Sequence, residues 1–220
     1  MPVKVKICGV RTPAIVQVAA EEGADYVGLV FFERSPRHLS LDAAAQLAGI
    51  ARGKIGTVAV LVDPADVLID RVVERVRPDL LQLHGEESPE RTAAIRARTG
   101  LPVIKAISIA GAGDVAKAKP YTASANYILF DAKAAPGATR PGGNGIAFEW
   151  RTIADIAVPF ALSGGLTPET VGAAIGLTGP ALVDVSSGVE SAPGEKDEEL
   201  VRRFIRAAKA AAPQMRVKAS

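Results

Sequence analysis

The 220 residues of this chain are enough for one well-buried domain, and the length alone does not require a second. Apolar residues make up 48% and charged residues 23%, a balance typical of globular proteins that argues against disorder. The net charge of +2, with basic and acidic residues intermixed, argues against a nucleic-acid or membrane surface.

The cysteine content and the apolar runs predict a cytoplasmic protein. A single cysteine cannot form an internal disulfide, which suits a reducing compartment. The first seven residues alternate charged with apolar side chains and lack the apolar core of a secretory signal. The longest apolar runs, such as Tyr26 to Phe32, are far too short to span a membrane. One cysteine and two histidines also give no metal-ligand spacing, so no metal is expected.

Eight short apolar runs recur along the chain, separated by Ala-rich segments with helical periodicity. Most of the runs lack strict alternation, which is typical of parallel strands buried on both faces. In chain order the predicted strands are Val3–Ile7, Tyr26–Phe31, Thr57–Val62, Leu80–Leu83, Val103–Ile107, Tyr127–Phe130, Phe160–Leu162 and Leu182–Val185. Strands and helices are therefore predicted to alternate along the whole chain.

Several of the predicted helices begin with the same pair, a capping side chain followed by proline. A side-chain oxygen at the N-cap satisfies a backbone N–H, and proline is tolerated at the first helical position. The pairs are Thr12-Pro13, Asp63-Pro64, Ser88-Pro89 and Thr167-Pro168. The last helix is predicted to be amphipathic, with one apolar stripe formed by Leu200, Val201, Phe204, Ile205 and Ala208.

Eight alternating units leave two architectures, an open doubly wound sheet and a closed barrel. An open sheet that binds a dinucleotide carries G-x-G-x-x-G after its first strand, whereas this chain has Cys8-Gly9-Val10-Arg11-Thr12. A (β/α)8 TIM barrel needs eight such units and about 200 residues or more. We therefore predict a single-domain α/β TIM barrel over residues 1–212, with residues 213–220 as a frayed C-terminal tail.

Polar side chains follow most of the predicted strands, at the end where parallel barrels place their active sites. This shared position predicts an enzyme. The residues concerned are Cys8, Arg34, Arg37, His38, Asp63, His84, Gly85, Lys105, Asp131, Ser163, Gly164, Gly165, Asp184, Ser186, Ser187 and Gly188.

The loops after the seventh and eighth strands are candidates for binding phosphate. Gly164-Gly165 and Ser186-Ser187-Gly188 offer small residues, backbone N–H groups and hydroxyls. In TIM barrels these two loops often hold a phosphate, helped by the N-terminus of a short helix. The alternative is that the glycines only turn the chain and Ser186 caps it.

Cys8 and Asp131 are the candidate proton-transfer pair, each with a structural alternative. A lone cysteine is usually a small buried hydrophobe, and a catalytic base would need its thiolate, whereas a thiol with a pKa near 8.5 is mostly protonated at neutral pH. Asp131 follows an apolar run and is either a cap or an acid in apolar surroundings.

Two further candidates at the strand ends also have structural alternatives. Arg37 is either a solvated side chain or a bidentate partner of a substrate carboxylate. His84 either satisfies backbone groups or lines the substrate pocket.

The connection from Ala132 to Phe148 is long and rich in glycine, alanine and proline. Long loops in compact domains are usually functional or disordered. Because this loop follows Asp131 directly, we expect it to be a mobile cover over the site.

These stretches together resemble the phosphoribosylanthranilate isomerases, barrel enzymes of tryptophan biosynthesis. The resemblance covers nearly the whole chain in the order of the family. It is most specific in Lys6-Ile-Cys-Gly9 and in Asp184-Val-Ser-Ser-Gly-Val-Glu190. The other matching stretches are Phe31 to Arg37, Leu81 to Gly85, Phe130-Asp131, Gly142 to Gly145, Phe148 to Trp150, Leu162 to Leu166 and Lys196-Asp197.

The resemblance implies an Amadori rearrangement of N-(5-phosphoribosyl)anthranilate by acid–base catalysis. Asp131 would be the general acid that opens the furanose ring, and Cys8, as thiolate, would be the base that removes the C2 proton. Arg37 would hold the anthranilate carboxylate. Asp184 is taken as a further substrate contact, and so is His84, although the resemblance does not settle the role of this histidine. The implied partner is a small phosphosugar bound by a monomer or a homodimer, and no cofactor is implied.

The chain departs from the pattern of the family at two positions in the predicted cover loop. It has Asn144 where threonine or serine is usual, and Glu149 where aspartate precedes the tryptophan. Both changes keep polar character, so they bear on loop closure and not on the activity. Two alternatives stay open: another phosphate-binding barrel enzyme of amino-acid biosynthesis, and a non-catalytic phosphosugar-binding barrel.

Overall fold

Eight parallel strands form a closed barrel in which the last strand pairs with the first. The structure, a computed structural model, describes residues 3–109, 112–132 and 159–211. The strands follow one another around the barrel in chain order, so the predicted single-domain TIM barrel is confirmed. They are β1 Lys4–Cys8, β2 Tyr26–Phe31, β3 Gly56–Leu61, β4 Leu80–Leu83, β5 Val103–Ile109, β6 Tyr127–Ala132, β7 Phe160–Ser163 and β8 Leu182–Val185.

Helices connect the strands and surround the barrel. In the described ranges the α-helices are α1 Pro13–Glu21, α2 Leu41–Ala51, α3 Asp66–Val76, α4 Pro89–Thr99, α5 Val171–Thr178 and α6 Glu198–Ala210. A 3₁₀ helix, Ala112–Tyr121, connects β5 to β6. After β8 come a single 3₁₀ turn, Ser187–Val189, and a hairpin of β9 Glu190–Ala192 with β10 Glu195–Lys196. None of the helices described has the length and apolar character needed to span a membrane.

Two of the four predicted cap–proline pairs begin their helices as expected. The hydroxyl of Thr12 accepts a hydrogen bond from the backbone N–H of Ile15 at the start of α1, over 3.4 Å. The hydroxyl of Ser88 likewise accepts from the N–H of Arg91 at the start of α4, over 3.2 Å. In both helices the proline follows at the first helical position.

The other two pairs lie before their helices. Helix α3 begins at Asp66 without a side-chain cap, so the prediction for Asp63-Pro64 was wrong. Asp63 has a φ of 44°, outside the extended region of an N-cap, and its carboxylate accepts instead from the backbone N–H of Glu86, over 2.8 Å. The hydroxyl of Thr167 caps the turn that leads into α5: it accepts from the backbone N–H of Glu169 over 3.3 Å, and the helix begins at Val171.

Each strand points one set of side chains into the barrel and the next set towards the helices. The inward set is mostly small and aliphatic and fills the barrel as a packed core. It includes Cys8, Val30, Val58, Val60, Leu80, Ile104, Ala106, Leu129, Ala161 and Leu182. Lys6 and Asp184 also point inwards, because each lies two residues from a member of this set on its own strand. The pairing of β1 with β8 places them side by side.

The outward set packs against the helices and forms the larger apolar core. The predicted stripe of α6 contributes to this core: Val201, Phe204, Ile205 and Ala208 are buried, and Leu200 packs against them. The last helix also contacts the first, so both ends of the described chain meet at one seam of the barrel.

Candidate active site

The ten residues predicted to form the site line one cavity at the C-terminal end of the barrel. Its volume is about 270 Å³. The ten are Cys8, Arg37, His84, Asp131, Gly164, Gly165, Asp184, Ser186, Ser187 and Gly188. The fold therefore brings them together, while the role of each stays a prediction.

Cys8 is the last residue of β1 and points into the barrel. It is buried. The chain turns directly after it, where Gly9 has a φ of 77° and both Gly9 and Val10 donate backbone N–H bonds to the carbonyl of Gly28. A side chain at position 9 would collide with Arg37, since its Cβ would lie 2.4 Å from Cδ of that arginine. The turn thus aims the thiol at the cavity and lets Arg37 pack over the backbone.

The Cys8 thiol lies among charged groups of both signs. The pKa of this thiol is raised above its ordinary value, because burial outweighs the positive charges of Lys6 and Lys196, which lower it, and the carboxylate of Asp184 adds to the rise. The Lys6 ammonium donates to Oδ1 of Asp184 over 2.9 Å, and both side chains are almost fully buried. The sulfur therefore sits beside an internal ion pair.

Asp131 belongs to a short row of hydrogen bonds across the C-terminal opening of the barrel, which we call the mouth. Nε2 of His84 lies 3.3 Å from Oδ2 of Asp131, and Nδ1 of His84 lies 3.1 Å from the amide nitrogen of Gln82. When the amide nitrogen of Gln82 donates, Nδ1 accepts and the ring proton lies on Nε2, facing the carboxylate. His84 thus orients Asp131 through Nε2, and the buried Gln82 holds the ring of His84.

Arg37 is held by a second acidic side chain. Its Nε and Nη2 donate to the two carboxylate oxygens of Glu190 over 2.7 and 2.6 Å, and Lys196 Nζ lies 2.5 Å from Oε1 of the same carboxylate. Burial raises the pKa of Glu190, but the hydrogen bonds from Arg37 and Lys196 outweigh it and lower this pKa to about 2. Guanidinium has five N–H donors, so the three that Glu190 does not use are those available to a ligand.

The two glycine-containing loops after β7 and β8 pack together without side chains between them. Gly164 and Gly165 have φ values of 91° and 64°, in the left-handed region that favours glycine. A Cβ at Gly188 would lie 1.9 Å from the carbonyl oxygen of Leu166, so only glycine fits there. Ser186 connects this region to the backbone of Cys8, because its hydroxyl donates to the carbonyl of Cys8 over 3.3 Å.

Some residues at this end of the strands do not reach the cavity. Arg34, His38, Asp63 and Gly85 follow their strands as expected but do not line it. Lys105 is fully buried, and its ammonium contacts the carbonyl of Gly85 and Oε2 of Glu87 at 2.6 Å each. It lies on the helix-facing side of β5 and holds the loop after β4, so it does not line the cavity either.

Four residues around the site had been given no role from the sequence: Lys6, Gln82, Glu190 and Lys196. All four lie in stretches that match the family, and Lys6 is a charged residue inside a short apolar strand. A charge inside a buried strand requires a partner, which was the available signal.

The predicted cover loop, with Asn144 and Glu149, lies outside the described residues except at its first position, and so does the predicted tail. Among the described residues, His, Cys, Asp and Glu form no cluster of three or more that could hold a metal ion.

Comparison with known proteins points to one family. The family model for N-(5'-phosphoribosyl)anthranilate isomerase matches residues 5–207. The isomerase of Rhodopseudomonas palustris strain BisA53 is 55% identical over 96% of this chain and 97% of its own. That of Paramagnetospirillum magneticum is 52% identical over 97% of this chain and 100% of its own.

Solved structures agree with the sequence relatives. The isomerase of Thermotoga maritima superposes with a TM-score of 0.84 at 37% identity, covering 94% of this chain and 98% of its own. A phosphoribosyl anthranilate isomerase solved with reduced 1-(o-carboxyphenylamino)-1-deoxyribulose 5-phosphate has a TM-score of 0.82 at 35% identity, with the same coverage of each chain. The chain thus belongs to the N-(5'-phosphoribosyl)anthranilate isomerase family.

Proposed function

We propose that this chain converts N-(5'-phosphoribosyl)anthranilate into 1-(o-carboxyphenylamino)-1-deoxyribulose 5-phosphate, an Amadori rearrangement in tryptophan biosynthesis. One observation carries the proposal: a thiol, a carboxyl group, an arginine and two glycine-containing loops line a single cavity of a chain in this family. The cavity offers an acid, a base, a carboxylate-binding group and a phosphate-binding group, which are the groups that the reaction needs.

The first step is ring opening with Asp131 as general acid. Asp131 donates its proton to the furanose ring oxygen, and the bond between C1 and that oxygen breaks as the oxygen takes the electron pair. The anthranilate nitrogen shares its lone pair with C1, which gives an iminium ion. Asp131 is left as a carboxylate, and Nε2–H of His84, 3.3 Å away, stabilises that charge by hydrogen bonding.

The second step is proton removal from C2 with Cys8 as base. The iminium ion makes the adjacent C–H acidic, so the chemistry requires no metal. The thiolate of Cys8 takes the C2 proton, the electrons of that bond form the C1–C2 double bond, and the nitrogen regains its lone pair. The enolamine then gains a proton at C1 and loses the hydroxyl proton at C2, which gives the ketone.

Phosphate binding is assigned to the loops after β7 and β8. Gly164, Gly165 and Gly188 carry no side chain, so a phosphate can approach their backbone closely, and Ser186 and Ser187 add hydroxyls. The loop after β8 begins one residue after Val185 and is bonded to the carbonyl of Cys8 through Ser186. Phosphate bound there would set the distance between the sugar and the thiol.

Arg37 is assigned to the carboxylate of the anthranilate, and Arg37→Ala should mainly raise KM. Because the contact is made equally in the ground state and the transition state, its loss weakens binding and leaves kcat nearly unchanged. We expect KM to rise by about 10- to 100-fold, as for a lost charge-assisted hydrogen bond. Initial rates over a range of substrate concentrations measure this.

Arg34→Ala is the matched control, since Arg34 lies in the same loop but does not line the cavity. Its KM should stay near that of the unmodified chain. An unchanged KM in Arg37→Ala would remove the carboxylate assignment and leave Arg37 as a partner of Glu190 alone.

The location and the assembly of the protein are also part of the proposal. The single cysteine supports a cytoplasmic protein, and the chain is expected to act as a monomer or a homodimer on a small phosphosugar. The isomerase of Thermotoga maritima is dimeric and has been converted to monomers.

The test is consumption of freshly made phosphoribosylanthranilate by the purified chain, followed through the fluorescence of the substrate. A fluorescence decrease that depends on enzyme concentration is expected, with the ketone product identified by mass and NMR. Binding of the reduced product analogue without turnover would instead favour the non-catalytic phosphosugar-binding barrel.

A further inference from the structure

We propose that Lys6 is a positioning residue for the catalytic base: its ammonium is the fixed positive charge that favours the thiolate of Cys8 against the effect of burial, and Asp184 weakens that charge. The inference deepens the proposed function and rests on it only for the role of Cys8 as base. It assigns a task to a buried ion pair that the reaction steps above leave unused.

The position of Lys6 is unusual for a lysine. Its side chain is fully buried inside the barrel, on the same face of β1 as Cys8 two residues further on. Burying an ammonium is costly unless it is paired, and Asp184 on the neighbouring strand provides the partner at 2.9 Å. Replacing a buried ion pair by apolar residues is often neutral or stabilising, so stability alone does not explain the pair.

Lys6 and Cys8 flank the same small space. This space lies over Gly28 on β2, which pairs with Cys8 in the sheet. A Cβ at Gly28 would lie 3.1 Å from Sγ of Cys8 and 3.2 Å from Cε of Lys6. The glycine therefore leaves the sulfur and the end of the lysine side chain room to lie side by side.

Several charged groups face Cys8, and Lys6 differs from the others. Asp184 approaches from β8, Lys196 from β10 and Arg37 from the loop after β2, while His84 and Asp131 line the far side of the cavity. Lys196 and Arg37 are both bonded to the carboxylate of Glu190, which offsets part of their charge. Among the charged groups described around the thiol, Lys6 is the one on the same strand, two residues before Cys8.

The charges around the thiol favour its ionised form against burial. Arg37 and Lys196 with the carboxylate of Glu190 carry one net positive charge, and Lys6 adds a second that Asp184 offsets in part. Burial is the strongest influence and raises the pKa of Cys8, and the charge of Lys6 opposes it most, followed by that of Lys196.

Cys8 is the single cysteine of the chain, so its ionisation can be measured directly. The rate of alkylation by iodoacetamide is followed by intact mass as a function of pH, because only the thiolate reacts. In Lys6→Met we expect the midpoint of this profile to rise by about 1 to 3 pH units, the effect of losing a nearby opposite charge. In Asp184→Asn we expect the midpoint to fall by about 1 pH unit, because no carboxylate then offsets the positive charge of Lys6.

Two further variants complete the experiment. Lys4→Met removes a lysine from the same strand at the opposite, exposed end of the barrel, and its midpoint should not move. Lys6→Arg keeps the charge, and its midpoint should stay closer to that of the unmodified chain than the midpoint of Lys6→Met. The pH profile of kcat should move in the same direction as the alkylation midpoint in each variant.

Opposite shifts in Lys6→Met and Asp184→Asn support the inference. Shifts in the same direction, or no shift in either, would overturn it, because a merely structural ion pair predicts one of these results. If Lys6→Met does not fold, an unmoved or raised midpoint in Asp184→Asn overturns the inference by itself. Shifts as expected in a chain without isomerase activity would refute the proposed function only.

Discussion

Replacing Cys8 with alanine is expected to lower kcat by about 10²- to 10⁴-fold, the usual loss when a general base is removed. The methyl group of alanine cannot accept the C2 proton, while the neighbouring Lys6–Asp184 pair and the loops after β7 and β8 are retained. Steady-state kinetic assays with freshly made phosphoribosylanthranilate measure this decrease in kcat.

The control for Cys8→Ala is binding of the reduced product analogue by calorimetry. Its Kd should stay within about threefold of the unmodified value, because the phosphate and carboxylate contacts do not involve the thiol. A variant that turns over at a near-normal rate would exclude Cys8 as the base. Loss of both binding and turnover would instead point to a structural role at the turn with Gly9.

Replacing Asp131 with asparagine is expected to lower kcat by a similar factor, about 10²- to 10⁴-fold, at the other chemical step. The amide has nearly the same size and can still bond to Nε2 of His84 after a flip, but it cannot give a proton to the ring oxygen. Ring opening should then limit the rate. Substrate deuterated at C2 should consequently lose any isotope effect that the unmodified enzyme shows.

Asp70→Asn is a suitable control, because Asp70 is an exposed carboxylate on α3 that pairs with Arg98 far from the cavity. Its turnover should match that of the unmodified chain. A C2 isotope effect that grows in Asp131→Asn would contradict the assignment, since proton removal and not ring opening would then be the slowed step.

The strands could be predicted from the sequence because parallel strands in a barrel are buried on both faces. Such strands appear as short apolar runs, and the predicted runs Tyr26–Phe31, Leu80–Leu83 and Leu182–Val185 match the observed strands residue for residue. The common end of the strands then placed Cys8 and Asp131 at one mouth. Local sequence was sufficient for these conclusions.

Contacts between distant residues could not be predicted in the same way. Asp63-Pro64 has the local form of a helix start, but the carboxylate of Asp63 bonds to Glu86 in the following loop. A strand that is apolar on both faces does not show which face points inwards, so the sequence did not show that Lys6 points into the barrel and Lys105 towards the helices. Their partners distinguish them in the fold: Lys6 bonds to Asp184 on β8, and Lys105 bonds to Glu87 in the loop after β4.

Arg37 shows the same limit at the site itself. The sequence predicted that the residue lies at the mouth, and it does. Nothing near Arg37 in the sequence indicated that Glu190, 153 positions later, would hold two of the guanidinium donors. Chemical type and strand position are local properties, whereas the hydrogen-bonding partner of a side chain depends on the completed fold.

The closure of the barrel between β1 and β8 also has a consequence for biosynthesis. Lys6 and Asp184, like Cys8 and Ser186, are separated by 178 positions. During translation Asp184 and Ser186 are therefore synthesised 178 positions after Lys6 and Cys8, with which they are bonded in the fold. The thiol has Lys6 beside it from the start, whereas the carboxylate that offsets this lysine comes much later. The cavity around the proposed base is therefore complete only when β8 and the loop after it have docked on β1.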